Sequence, residues 1–330
     1  MSKVHIIAEI ATNYFDSLYL AEQSIKKAAE AGADSIKIQI IYSPETYLDG
    51  QYEYGKYKID DVRQIRKISY LSDENLLKLR KIAKKYKILL TATIYGKESL
   101  RKASLISPHY FKVASGDINN KELLEMAIKK NKKIIFSTGM SSEKDILRAI
   151  NLFKRKKYKN FVVMHCVADY PHQAKDSQLG YITKLNKLNV ELGFSDHTLT
   201  SSAAAVAVSM GVKWVEKHFT LSSNLGGLDA KHSLDPDQLK EYVNEIRGIE
   251  QSLSITNRKI TENEKFTRKR ARRGLYFRNN IVKNKKIERN DLLSVRPENK
   301  FDIWNIDKIL NKKIKKKSKK NRTVEVKNFL

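Results

Sequence analysis

Two histidines stand close after neighbouring apolar runs, His197 in GFSDHT and His218 in EKHFT. Imidazoles on adjacent elements suit the binding of one divalent cation. Two lysines interrupt other apolar runs, Lys37 in SIKIQI and Lys112 in FKVAS, where a head group turned inward is expected. Thr93, Ser115, Ser137 and Ser195 sit near the ends of such runs, and glycine follows in ASG and STG. Hydroxyl donors, open backbone amides and ammonium groups are what a phosphate or carboxylate needs. The carboxylates Glu9, Asp117 and Asp229 suit proton transfer or the orientation of sugar hydroxyls, and Tyr170 and Glu216 stand at the same kind of position. Each feature taken singly has a plainer explanation, since serine and glycine are ordinary turn residues. His165 fits a satisfied core histidine as well as a ligand; His5, His109 and His172 read as structural or exposed. Nothing beside Cys166 marks it as an activated nucleophile.

These groups need a scaffold that brings strand ends together. From residue 4 to about 250, short apolar runs alternate with amphipathic stretches eight times: Val4–Ala11, Ser35–Ile40, Ile88–Thr93, Tyr110–Ser115, Lys133–Ser137, Phe161–Cys166, Val190–Phe194 and Trp214–His218. Runs this short and this rich in Ile, Val and Phe read as buried parallel strands. Helices are expected between them, in SLYLAEQSIKKAAEAGA with Gly32 past its end, DENLLKLRKIAKKYK, NKELLEMAIKKNK, SEKDILRAINLFKRK and DQLKEYVNEIRGIEQSL. Eight such units in about 250 residues match a closed (β/α)8 TIM barrel, whose catalytic groups gather at the C-terminal ends of the strands. An open doubly wound sheet would want a Gly-rich turn after the first strand, and AEIATNYFDS has none.

Residues 41–72 break the rhythm and are too long for a plain connection; a functional or disordered loop over the barrel mouth is expected. The barrel is placed at 1–253, a charged linker at 254–271, and a small, mostly β domain at 272–330. The net charge of +27 is concentrated there, with 25 Lys and Arg against 8 Asp and Glu from residue 251 onward. NKKIKKKSKKNR reads as a solvated face, and no zinc-finger or RNA-binding aromatic motif supports nucleic-acid recognition. A single cysteine excludes an internal disulfide framework. Without a membrane-length apolar run or a leader pattern, a cytoplasmic location is expected.

EIATN, SIKIQ, FKVASGDINN, IIFSTGM, HCVADYP, GFSDHT, EKHFT and GGLDAKHSLDP follow one another as do the motifs of the sialic acid synthases. The tail RRGLYFRNNIVKNKKIERNDLLSVRP resembles their antifreeze-like SAF domain. The resemblance implies condensation of phosphoenolpyruvate with an N-acetylated hexosamine such as N-acetylmannosamine. It implies Mn2+ or Mg2+ on His197 and His218, and a phosphoenolpyruvate site of Lys37, Thr93, Lys112, Ser115, Ser137 and Ser195. Glu9, Asp117, Tyr170 and Asp229 would surround the amino sugar and the reacting carbons. Arg296, in SVRP, would reach the acetamido group across a domain-swapped homodimer. Tyr14, Ile40, Ala168 and Ala230 depart from the pattern, the last with a histidine reappearing at His232. A diacetamido-dideoxy sugar of the legionaminic or pseudaminic type, or a phosphorylated sugar on a related barrel, stays open as the acceptor, and so does a decayed barrel that binds polyanions.

Overall fold

The computed structural model describes residues 3–55, 57–226, 229–255 and 257–329, in two compact units, Met1–Ile255 and Thr256–Leu330. In the first, eight parallel strands close into a barrel: β1 (His5–Ala11), β2 (Ser35–Gln39), β3 (Leu89–Ile94), β4 (Tyr110–Val113), β5 (Lys133–Ser137), β6 (Phe161–Cys166), β7 (Glu191–Asp196) and β8 (Trp214–His218). Each strand pairs with its neighbours in sequence, and β8 pairs back onto β1 with Glu9 opposite His218. At least one helix follows every strand, which is the arrangement of a (β/α)8 barrel.

Local sequence explains where the helices start. Ser17 accepts from the Leu20 amide ahead of Leu18–Glu30. Ser142 and Asp145 form a capping box at Glu143–Arg155, and Asp235 with Gln238 does so at Pro236–Leu253, where Pro236 takes the first turn. Gly32 has φ +87°, so the first helix ends in a conformation that favours glycine.

The strands alternate sides, and that alternation sorts the barrel interior by height. Ile7, Tyr110, Ile135, Val162 and Met164 fill the lower interior with Trp214 packed against them. Two residues further along the same strands stand Glu9, Lys112, Ser137, Cys166 and Glu216. The apolar floor and the polar upper layer are thus one period-two pattern read at successive positions. The outward residues join the helices in the main core, which includes Ile6, Ile36, Phe136, Val163 and Val215.

The described part of residues 41–72, expected as a functional or disordered loop, forms regular elements rather than a disordered loop. It holds a short helix at Ser43–Thr46, a two-residue hairpin and a ten-residue helix at Ile59–Ile68, which buries Ile59 and Val62. β4 is shorter than expected, because the chain turns into a 3₁₀ turn at Ser115–Asp117. β7 extends two residues further, to Asp196.

The second unit pairs β9 (Gly274–Phe277) antiparallel with β10 (Leu292–Val295) and adds isolated bridges such as Ile281 with Ser318. Its own core gathers Leu275, Phe277, Ile281, Ile287, Leu292, Phe301, Ile309, Ile314, Val324 and Phe329. The segment read as a linker contains a helix, Glu262–Ala271, capped by Thr261. Within the lysine-rich run, Ile314 alone is buried and the lysines are exposed. Among the described residues no helix is long and apolar enough to cross a membrane.

Candidate active site

The C-terminal ends of the strands enclose a cavity of about 530 Å³, within the usual range for small-molecule sites. All twelve barrel residues singled out from the sequence line it: Glu9, Lys37, Thr93, Lys112, Ser115, Asp117, Ser137, Tyr170, Ser195, His197, His218 and Asp229. Arg296 lies in the second unit, exposed just after β10.

Both lysines turn inward and are 2–3% exposed. Lys37 Nζ lies 2.5 Å from Glu9 and 3.6 Å from Glu216, and it donates to Thr93 Oγ1 at 2.8 Å. Lys112 Nζ donates to Ser137 Oγ at 2.6 Å and lies 4.0 Å from Glu216. Two carboxylates and two ammonium groups therefore share one buried layer. Burial pushes the Glu9 carboxyl up, against the pull of Lys37. Glu216 is held down, because Lys112 and Lys37 together outweigh its burial. Burial lowers Lys112, while the two carboxylates raise Lys37 despite its burial.

Beside the lysines the backbone is tight. Ser115 Oγ accepts from the Gly139 amide at 3.0 Å, and a Cβ on Gly139 would lie 2.9 Å from that oxygen and 3.0 Å from Ala168 Cβ. This leaves a small concave wall of hydroxyls and an ammonium group, matched in type to an oxyanion.

The opposite wall is aromatic and imidazole-rich. The rings of His197 and His218 are 5.4 Å apart, and Tyr170 packs 4.1 Å from His197 and 5.7 Å from His218. His197 Nδ1 hydrogen-bonds to Val167 O at 2.7 Å, which directs Nε2 towards Ser195 Oγ at 3.3 Å. Burial drives His197 well below the usual histidine value and His218 to about 4, so both rings are neutral at pH 7. His218 Nδ1 is buried without a hydrogen-bond partner. Neutral, buried imidazoles with an unpaired nitrogen fit a divalent cation.

The loop bearing His197 is anchored from outside the barrel. Asp196 Oδ1 accepts from the Thr198 amide at 2.9 Å and its hydroxyl at 2.7 Å, while Oδ2 takes the Tyr242 hydroxyl at 3.0 Å. Lys217 lies 3.1 Å from that carboxylate and donates to Thr198 O. The DHT and EKH sequences thus alternate, one residue facing the cavity and the next the helix wall.

Glu216 is central here, although its sequence position gave it no role beyond standing at a strand end. Its signal is the period of two that links Trp214, Glu216 and His218. Arg66 comes from the helix at Ile59–Ile68 and lines the cavity with Tyr47, Tyr52 and Tyr95. Its Nη1 lies 3.4 Å from Thr12 Oγ1 and 3.5 Å from Gln39 Oε1, and its Nε is buried without a hydrogen-bond partner. Nothing in the local sequence separates it from the other basic residues of that helix.

Other expectations resolve plainly. His165 bonds Ser177 O at 2.8 Å and His172 Nε2 bonds Ser177 Oγ at 2.9 Å, both buried, with His172 Nδ1 left without a hydrogen-bond partner, while His109 is exposed. His5 stacks on Trp214 at 4.2 Å, at the floor of the barrel. Tyr14 donates to Ser69 O at 3.1 Å and serves the wall. Burial raises the Cys166 thiol, which disfavours the thiolate.

Asp117 gives a prediction. Burial raises its carboxyl to about 6, only partly opposed by Asn120. Its unfolded counterpart ionises near pH 4, so folding takes up a proton between those values. The group's contribution to stability is full below about pH 4 and is lost as pH rises through 6. Asp117→Asn is expected to remove that slope, as measured by urea unfolding between pH 4 and 7.

The fold and this site define a member of the NeuB family, the sialic acid synthases, whose profile matches residues 24–258; the chain belongs to that family. It is 32% identical to a pseudaminic acid synthase of Campylobacter jejuni over 89% of this chain and 88% of that one. It is 30% identical to an N,N'-diacetyllegionaminic acid synthase of the same species over 94% and 96%. The crystal structure of an N-acetylneuraminic acid synthetase from Leptospira borgpetersenii serovar Hardjo-bovis, in complex with citrate, superposes with a TM-score of 0.72. It is 31% identical, covering 81% of this chain and 90% of that one.

Proposed function

We propose that the protein condenses phosphoenolpyruvate with an N-acetylated hexosamine, such as N-acetylmannosamine, and water, giving a nonulosonic acid and inorganic phosphate. The observation that carries this reading is one cavity with a lysine and hydroxyl wall facing an imidazole wall. Lys112, Ser115 and Ser137 suit the phosphate, and Lys37, Thr93 and Ser195 suit the carboxylate beside it. Held there, the enol carbon C3 faces the acceptor, and such positioning lowers the barrier by several kcal/mol.

C3 attacks the C1 aldehyde of the open-chain sugar, forming the C–C bond while the aldehyde oxygen takes up a proton. Water adds to C2, which has become electron-poor, and gives up its proton. The new C2 hydroxyl then gives up its proton and becomes the keto carbonyl as phosphate leaves by cleavage of the C2–O bond and takes up a proton. Glu9, raised by burial beside Lys37, is placed to accept the water's proton. Burial would raise Asp229, but His232, His218 and Arg66 hold it down at about 2, an ionised group for the acceptor's end. Tyr170 and Asp117 supply further polar contacts there. A dication, Mn2+ or Mg2+, bound at His197 and His218 would supply Lewis-acid polarisation of the acceptor carbonyl.

Arg296 of a partner copy completes the acceptor site in this reading, making the enzyme a swapped homodimer. Arg296→Ala is expected to raise the KM for the sugar about tenfold or more, the loss of one charge-assisted hydrogen bond, and to leave that for phosphoenolpyruvate unchanged. Steady-state kinetics with each substrate varied checks this. The function itself is tested by phosphate release with phosphoenolpyruvate, Mn2+ and a panel of acceptors: N-acetylmannosamine, its 6-phosphate, and 2,4-diacetamido-6-deoxy hexoses. Release with an unphosphorylated N-acetylated sugar supports the proposal. A strict need for the 6-phosphate contradicts it.

A further inference from the structure

The structure assigns His232 and Asp229, with His218, to a three-residue metal site, and we propose that it takes a transition-metal dication in preference to Mg2+. After β8 the chain returns past the His218 ring in a 3₁₀ turn, Ala230–His232, that starts from Asp229. Three residues per turn eclipse side chains three apart, so Asp229 and His232 project from the same side. Ala230, between them, is fully buried.

The donor atoms of His218, Asp229 and His232 lie within 4.8 Å of one another, and His232 Nε2 is 3.5 Å from Asp229 Oδ1. The rings of His218 and His232 are 5.4 Å apart and steeply inclined, at 76°. His218 Nδ1 and His232 Nε2 are both buried without a hydrogen-bond partner. Two buried imidazole nitrogens without a hydrogen bond, one of them facing a carboxylate at 3.5 Å, are costly unless something electropositive joins them. Ligands about 2.0–2.2 Å from an ion stand roughly 3–3.5 Å from each other. The widest present spacing, 4.8 Å, reaches that range with a change of roughly 1.5 Å, which small side-chain rotations supply. Tyr170, 5.1 Å from His232 and 5.7 Å from His218, walls the set on the cavity side.

The donor set determines the metal. Mg2+ favours oxygen ligands and keeps its waters, whereas two imidazoles and one carboxylate suit Mn2+, Co2+ or Zn2+. His232 and Asp229 thereby join His218, and the ion's identity follows from this donor set.

The test uses the full chain stripped with chelator, and no substrate. Metal binding therefore stands or falls separately from the synthase reading. Co2+ titration is followed by visible absorption, and Mg2+ is tested as a competitor. The expected result is one Co2+ per chain with ligand-field bands that a hundredfold excess of Mg2+ does not remove. His232→Ala, checked for folding by circular dichroism, should weaken Co2+ binding at least tenfold and alter the bands. His232→Gln, which keeps more of the volume, should do the same. Unchanged Co2+ affinity in both variants would overturn the assignment and leave His232 as an ion-pair partner of Asp229. Displacement of Co2+ by equimolar Mg2+ would overturn the preference.

Discussion

Lys37→Met is expected to destabilise the barrel by about 3–5 kcal/mol, the cost of removing one partner from a buried ion pair. Lys37 is 2% exposed and stands between Glu9 and Glu216, with Thr93 as its hydroxyl partner. Without it, Glu9 retains only the Gln39 amide at 2.9 Å, and two buried carboxylates face one remaining lysine. Acid should relieve the defect, because protonating Glu9 removes the unpaired charge; the deficit shrinks as pH falls. The double variant Lys37→Met with Glu9→Gln should recover most of the stability, since neither buried charge is then orphaned. Urea unfolding at pH 7 and pH 5 measures all of this. An unchanged midpoint for Lys37→Met would mean that the ammonium group faces water.

The second large effect is on turnover. His218→Ala should reduce metal-dependent phosphate release about a thousandfold or more, corresponding to some 4 kcal/mol of lost electrophilic assistance. It should cost little stability, because His218 Nδ1 makes no hydrogen bond that the substitution would break. A variant that unfolds at the wild-type temperature yet no longer responds to Mn2+ is the expected result. Full turnover would remove this ring from the reaction.

These contrasts indicate what the chain reveals before it is folded. The barrel was legible because eight short β-branched runs recur at a regular spacing, and parallel strands buried on both faces cannot look otherwise. Lys37 and Lys112 stood out because an ammonium group inside such a run has to find an anionic or hydroxyl partner. Glu216 did not stand out, since its meaning depends on which lysines lie across the barrel, a relation between β8, β2 and β4 that only closure creates. Arg66 was hidden in a helix of unremarkable composition, within a segment whose two-residue hairpin and four-residue helix are too short to leave a periodic trace. His232 was visible as a departure in a motif, but its approach to His218 arises from a single 3₁₀ turn. Residues 254–271 read as a linker because their polar run masked the capping box of Thr261 and Glu264.

Phosphoenolpyruvate labelled with 18O in the bridging oxygen between C2 and phosphorus gives the most direct measurement. Attack by the enol carbon followed by addition of water at C2 predicts that the label leaves with inorganic phosphate, and only when an N-acetylated hexosamine is present. Unlabelled phosphate would place the bond cleavage at phosphorus, and release that needs no acceptor would uncouple it from C–C bond formation; either contradicts the account.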